Sequence, residues 1–150
     1  MQRKSVSRVW MVATIVCGLM ASGSSAIAQS AGHCSDRTLM GDYGSAAKGV
    51  LLPPAAPSEI QFTSVGVTHF DGEGNFTGVE HTVVNGVSVE ADWTANSGTY
   101  SVNSNCTGTL VINTPNSPVP VTLFFEVVKH GSEFHAVGES NAISSTYIKQ

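Results

Sequence analysis

Basic residues are scarce in this chain of 150: seven Lys and Arg stand against eleven Asp and Glu. Arg3, Lys4 and Arg8 crowd the start, while Arg37, Lys48, Lys129 and Lys149 are scattered through the rest. A surface that neutralises phosphates needs clustered cations, so nucleic acid is excluded as a partner and anionic membranes are disfavoured. Long apolar runs are missing too. The run VWMVATIVCGLM, residues 9–20, is shorter than the ~20 residues a membrane-spanning helix requires. With basic residues before it and Ala26-Ile27-Ala28 behind it, it reads as a cleaved secretory leader. A retained anchor is the alternative. Cleavage after Ala28 leaves residues 29–150 as one domain with no stable membrane anchor. Four basic side chains then face eleven acidic ones, a formal charge of −7 that suits a soluble exported protein.

Cysteine is almost absent. Of three, Cys17 departs with the leader, which leaves Cys34 and Cys106. The residues before Cys17 and Cys34 do not resemble a lipoprotein box. Two leftover thiols in an oxidising compartment are expected to pair. The closed loop of about 70 residues is credited with roughly 4 kcal/mol by the chain-entropy model. The competing reading, a catalytic Cys106, needs a histidine neighbour and reducing surroundings. Nucleophile elbow, phosphate loop, dinucleotide fingerprint and paired-cysteine metal motif are all lacking, so no cofactor is expected.

Helical periodicity is missing from residues 29–150; what recurs is alternation broken by turn signals. Residues 39–46 suit a first strand, and the proline-rich 51–57 a connector or edge. Residues 59–71, EIQFTSVGVTHFD, form the clearest strand. Ile60, Phe62, Thr68 and Phe70 fall on one face; Gln61, Thr63 and His69 fall on the other with Val65 and Val67. The turn at 71–75 leads to a strand at 76–84, and Asn85-Gly86 is a strong two-residue hairpin signal. Residues 87–93 alternate strictly, and Asn96-Ser97-Gly98 reads as the next turn. Strands are expected near 107–114, 119–128, 133–139 and 145–149. About eight short strands with tight turns indicate a closed antiparallel up-and-down barrel, with a β-sandwich as the alternative. Gly66, Gly78, Gly108 and Gly138 lie inside strand patterns, where they suit bends and bulges.

Four stretches carry a resemblance: CSDRTLMGDYG (34–44), VGVTHFDGEGNFTG (65–78), GTYSVNSNCTGTL (98–110) and a late strand pair ending in EFHAVG. Together they resemble small exported bacterial proteins akin to the calycin-like barrels typified by lipocalins and allene oxide cyclase. The resemblance implies an eight-stranded antiparallel barrel with an apolar interior. The short lipocalin signature GxW is replaced here by Gly41-Asp42-Tyr43.

Several constellations invite chemical readings. Asp71, Glu73 and Asn75 mimic part of a calcium loop, but Phe76 and Thr82 occupy its sixth and twelfth positions; a hairpin turn explains the segment. His69, His81 and His135 would suit zinc if a barrel brought them together, although none are spaced as a local ligand pair. Glu90 and Asp92 read as a solvated face. Glu126 interrupts LFFEVV and, if lumenal, would carry a raised pKa. The sequons at Asn75 and Asn105 matter only in a eukaryotic secretory pathway. Phe62, Phe70, Trp93, Leu123 and Phe125 are the expected apolar lining. Three functions compete. The first is a secreted or periplasmic binder of a small hydrophobic ligand. The second is a cyclase- or isomerase-type enzyme using Glu126, Tyr100 or His135. The third is a filled barrel that self-associates as a homodimer through residues 119–128.

Overall fold

The computed structural model describes residues 33–54, 56–115 and 117–150; the expected leader and Cys17 lie outside them. Nine strands follow in order: β1 (Gly41–Leu51), β2 (Ile60–Phe70), β3 (Asn75–Val84), β4 (Val87–Ser88), β5 (Thr94–Val102), β6 (Thr107–Asn113), β7 (Val121–Val128), β8 (Glu133–Gly138) and β9 (Ala142–Lys149). Apart from the short β4, each strand pairs antiparallel with the next, and β9 returns to β1 from Tyr43↔Lys149 to Val50↔Ala142. That last ladder closes the sheet. The result is an eight-stranded barrel with β4 outside it, which decides against the sandwich and leaves the barrel strands without free edges. Among the described residues, no helix is long and apolar enough to cross a membrane.

Turn chemistry accounts for the pairing. Asn85 and Gly86 both adopt positive φ, 48° and 84°, as a two-residue hairpin demands. Asp71 organises its own turn: Oδ1 accepts from the backbone N–H of Glu73 at 2.7 Å and of Asn75 at 3.0 Å, and Oδ2 accepts from Asn75 Nδ2 at 2.9 Å. These bonds hold the Asp71 carboxyl below its usual pKa, and the loop is the hairpin turn that its sequence suggests.

Three expectations need correction. The alternating segment 87–93 is strand only at Val87–Ser88 and then bends away in the open. Ser88 pairs with Val83, but beyond it Glu90 and Asp92 are in no strand pairing, and alternation without a partner does not make a ladder. Asn96-Ser97-Gly98 is not a turn but lies within β5, paired with β3 and β6. The residues before Gly41 form a 3₁₀ turn, Asp36–Leu39, rather than the start of β1.

Inside, one half of the barrel is packed and the other is not. Phe70 is fully buried and meets Tyr43, Tyr100 and Phe134 edge-on at 5.0–5.6 Å between ring centroids. Phe134 stacks on Tyr147 at 4.2 Å. Two rings lie flat over glycines of the adjacent strand, Phe76 over Gly98 and Phe125 over Gly108. A Cβ at Gly98 would fall 1.9 Å from the Val111 carbonyl oxygen and 2.6 Å from the Phe76 ring. Glycine here is a requirement of packing, with the aromatic ring covering the bare backbone.

Below this aromatic layer the 3₁₀ turn acts as a plug. Leu39 is fully buried beneath the rings. Asp36 Oδ1 accepts from the Val102 N–H at 2.7 Å, its carbonyl accepts from Tyr100 Oη at 3.0 Å, and Tyr43 Oη donates to the Gly131 carbonyl. Burial pushes the Tyr43 phenol up to about 12, so it remains a donor at any physiological pH. Cys34 and Cys106 are joined by a disulfide across a sequence separation of 72.

In protein lacking the leader, thiol titration of the unfolded, unreduced chain should find no free sulfhydryl. Replacing Cys34 and Cys106 together by Ser should cost about 3 kcal/mol in denaturant unfolding. Gly98→Ala should cost about 2 kcal/mol or more by overpacking; a change within 0.5 kcal/mol would show that the ring and strand yield freely.

Candidate functional site

The half of the barrel away from the plug is lined by smaller side chains. Inward parity along β1 brings Ser45 and Ala47 to the lumen, β2 brings Phe62 and Ser64, and β9 brings Ile143 and Ser145. They leave a cavity of about 90 Å³ that opens past Leu51, Phe62, Ile112, Val121 and Ile143. Drug-sized sites occupy roughly 300–1,000 Å³, so this one suits a small molecule, or one end of a longer one.

Among the described residues lining the cavity, Glu80 is the sole carboxylate, and no Lys, Arg or His joins it there. Its position follows from β3. With Phe76 packed inward, the two-residue period turns Gly78, Glu80 and Thr82 inward as well. Glu80↔Thr94 is the last pair between β3 and β5; beyond it, β3 pairs with β4 at Val83 and Val84. The carboxylate therefore sits where the wall changes partner. Gly66 gives it room, since a Cβ there would lie 3.3 Å from Glu80 Cβ.

The Thr114 hydroxyl donates to Glu80 Oε1 at 3.2 Å, and the Asn96 side chain adds a second interaction favouring the charged form. Burial outweighs both, so the Glu80 carboxyl lies above its ordinary 4.5. Burial, then the Glu80 charge, pushes the Tyr147 phenol up to about 12. Ser145 lies near enough to moderate that shift slightly, yet its Oγ makes no hydrogen bond of normal geometry. Asn96 Oδ1 is likewise buried without a partner. Unpaired buried acceptors are uncommon and costly.

The residues singled out from the sequence divide. Phe62 and Leu123 line the cavity; Phe70 and Phe125 belong to the packed aromatic layer. Trp93 does not face the lumen: it is 51% exposed, outside the barrel, with its ring 6.1 Å from that of His81. Glu126 faces solvent, paired with Thr107 and His135 on either side. In β7 the inward phase belongs to Leu123, Phe125 and Val127, so Glu126 takes the other. His135 is also outward, with Nε2 3.0 Å from Glu133 Oε1. Glu133 also pairs with Lys129, which holds its carboxyl below the usual value. Tyr100 is buried in the plug, accepting from the Gly72 N–H at 2.9 Å while donating to Asp36. His69 bonds the exposed Asp42 at 2.7 Å through Nδ1, and His81 faces Ser88. No group of three metal-ligating side chains forms among the described residues.

Glu80 escaped sequence reasoning because hydrophobicity misleads in β3. Its valines Val79 and Val83 belong to the outward phase, and Val79 is 42% exposed. Counting inward from Phe76 was the signal that pointed to Glu80. No family model matches the chain, and no curated protein matches it.

Glu80 should leave a mark on stability. Its folded-state pKa is raised, so its contribution is fully present below about pH 4.5 and is lost as pH rises through the folded-state value. Melting curves of wild type and Glu80→Gln from pH 4 to 8 should therefore diverge, the variant gaining relative stability as pH rises. Parallel curves would mean that Glu80 is effectively solvated.

Proposed function

We propose that this is an exported protein, secreted or periplasmic, that binds a small and largely apolar ligand in the open half of its barrel. The observation that carries the reading is an end-sealed barrel whose other half is left hollow. The packed half shows that this chain has large rings with which to fill a cross-section. The open half mixes serine, alanine and threonine with Leu51, Phe62 and Ile143, and its small side chains leave space unfilled. Natural interiors are close-packed, so a hollow maintained by small residues suits an occupant. The disulfide and the leader-like N-terminus support an oxidising destination.

A second reading, a cyclase- or isomerase-type enzyme, is favoured by one observation: a buried carboxylate with a raised pKa in a cleft is suited to general acid–base work. In that case Glu80 carries the role first considered for Glu126. Turnover of a bound passenger by wild type, lost in Glu80→Gln with binding retained, would identify it.

The binding reading is tested by native mass spectrometry of the protein collected from its own host. The expected result is a mass increment that vanishes on denaturation. Ser64→Leu fills the cavity from β2 and should abolish the increment while leaving the circular dichroism of the barrel intact. Passenger retained undiminished in that variant would place binding elsewhere and overturn the reading.

A further inference from the structure

We propose that the lumen takes an aliphatic amine, its ammonium group seated against Glu80 and its hydrocarbon chain directed to the open end. The inference rests on the lumen-binding reading above and specifies the ligand class. It starts from the imbalance of partners around one charge. Glu80 interacts with neutral groups, the Thr114 hydroxyl at 3.2 Å and the Asn96 side chain. Among the described residues, no cationic side chain lines the cavity to offset it. A carboxylate withdrawn from water without a counter-charge is unfavourable, and a cation brought beside it removes most of that cost.

The donor count points the same way. A carboxylate accepts through two oxygens and about four lone-pair positions, and one hydroxyl donor is seen on Oε1. Asn96 Oδ1 and Ser145 Oγ, both lining the same cavity, are buried without a hydrogen bond of normal geometry. Ser145 is only 5% exposed. Three acceptors of this kind suit a group with several N–H donors and no acceptor, which describes an ammonium ion. A carboxylate or phosphate ligand would face Glu80 with like charge. An alcohol could satisfy one acceptor but would leave the charge uncompensated. A divalent metal would need further ligands, and no group of three His, Cys, Asp or Glu forms among the described residues. Size adds a limit: about 90 Å³ accommodates an ammonium and a few methylenes. The chain of a longer amine would then run out past Leu51, Phe62 and Ile143.

The test uses three probes of equal length, n-hexylamine, hexan-1-ol and hexanoate, titrated into the disulfide-bonded protein and followed by amide NMR shifts. Hexylamine should shift lumen residues and bind at least about tenfold more tightly than hexan-1-ol, the factor expected of a charge-assisted contact, with hexanoate weakest. Glu80→Gln should bring hexylamine to within about twofold of hexan-1-ol, and the alcohol itself should change little. Ser64→Leu, which keeps the carboxylate but fills the hollow, should remove both.

Equal binding of amine and alcohol, or hexylamine binding unaffected by Glu80→Gln, would overturn the amine assignment while leaving the lumen-binding reading intact. Failure of hexylamine to bind a protein that carries a passenger from its host would do the same. Failure of all three probes, together with no passenger, would overturn the lumen-binding reading itself and leave water as the partner of the buried acceptors. If Glu80→Gln does not fold, Glu80→Asp is the substitute. It withdraws the carboxylate by one methylene and should weaken hexylamine alone.

Discussion

Eight strands enclose a cross-section of nearly fixed width, and the side chains facing it must fill it or leave it hollow. Every other feature follows from how this chain divides that duty along the barrel axis. In the half near residues 70–76 and 98–108, rings meet rings or glycines, so bulk on one strand is matched by its absence on the next. Phe76 over Gly98 and Phe125 over Gly108 are two instances of one device, volume conserved across a ladder. In the other half the large partner is missing: Ser64 faces Ala47 and Thr82 in the register, and nothing fills the difference. A filled barrel would have been within reach of the same backbone.

Sealing one end and opening the other are consequences of chain order. β1 is preceded by the 3₁₀ turn, which the disulfide fastens beneath the β5–β6 connection. Asp36 supplies hydrogen bonds in a place where a loose N-terminal segment would otherwise leave Tyr100 and the Val102 N–H unpaired. A bridge from Cys34 to Cys106 thus does more than restrict the unfolded chain. It holds a cap whose removal would open the underside of the aromatic layer to water.

Much of the barrel was legible in the sequence for a physical reason: the signals that reveal it are local. Asn85-Gly86 needs only its own backbone preference, and β2 announces its inward face by Ile60, Phe62, Thr68 and Phe70. The two cysteines expected to remain once a leader is removed allow one pairing. Elsewhere the information is not local. Residues 87–93 alternate as well as any strand, yet their ladder with β3 ends at Ser88, with one further backbone bond from Val89 to Thr82, and only the sheet can reveal that. Trp93 was expected inside on hydrophobicity alone, but it belongs to this excursion and stays out. Glu126 drew notice because apolar residues surround it in sequence; in space they divide between two faces, and it takes the solvent side. Glu80 passed unnoticed for the converse reason. Its neighbours Val79 and His81 look like ordinary strand residues, whereas the burial comes from Thr114, Asn96 and Tyr147, brought to it by other strands.

Glu80 also bears on why the hollow persists. An apolar residue at this position would pack against Tyr147 and remove both the unpaired acceptors' neighbour and the raised carboxyl. A protein selected for stability alone has little reason to keep a charge there, because replacing buried polar groups by well-packed apolar ones is often neutral or stabilising. Keeping it lowers the stability of the empty barrel at neutral pH, and that loss falls on the state without ligand. On the proposed reading, a cation entering the lumen would reverse the loss, and the empty and occupied states would differ by more than the contacts of the ligand's hydrocarbon chain. The same carboxylate that weakens the vacant fold would thereby sharpen its preference for a charged guest over a neutral one of equal length, since a neutral guest leaves the electrostatic deficit in place.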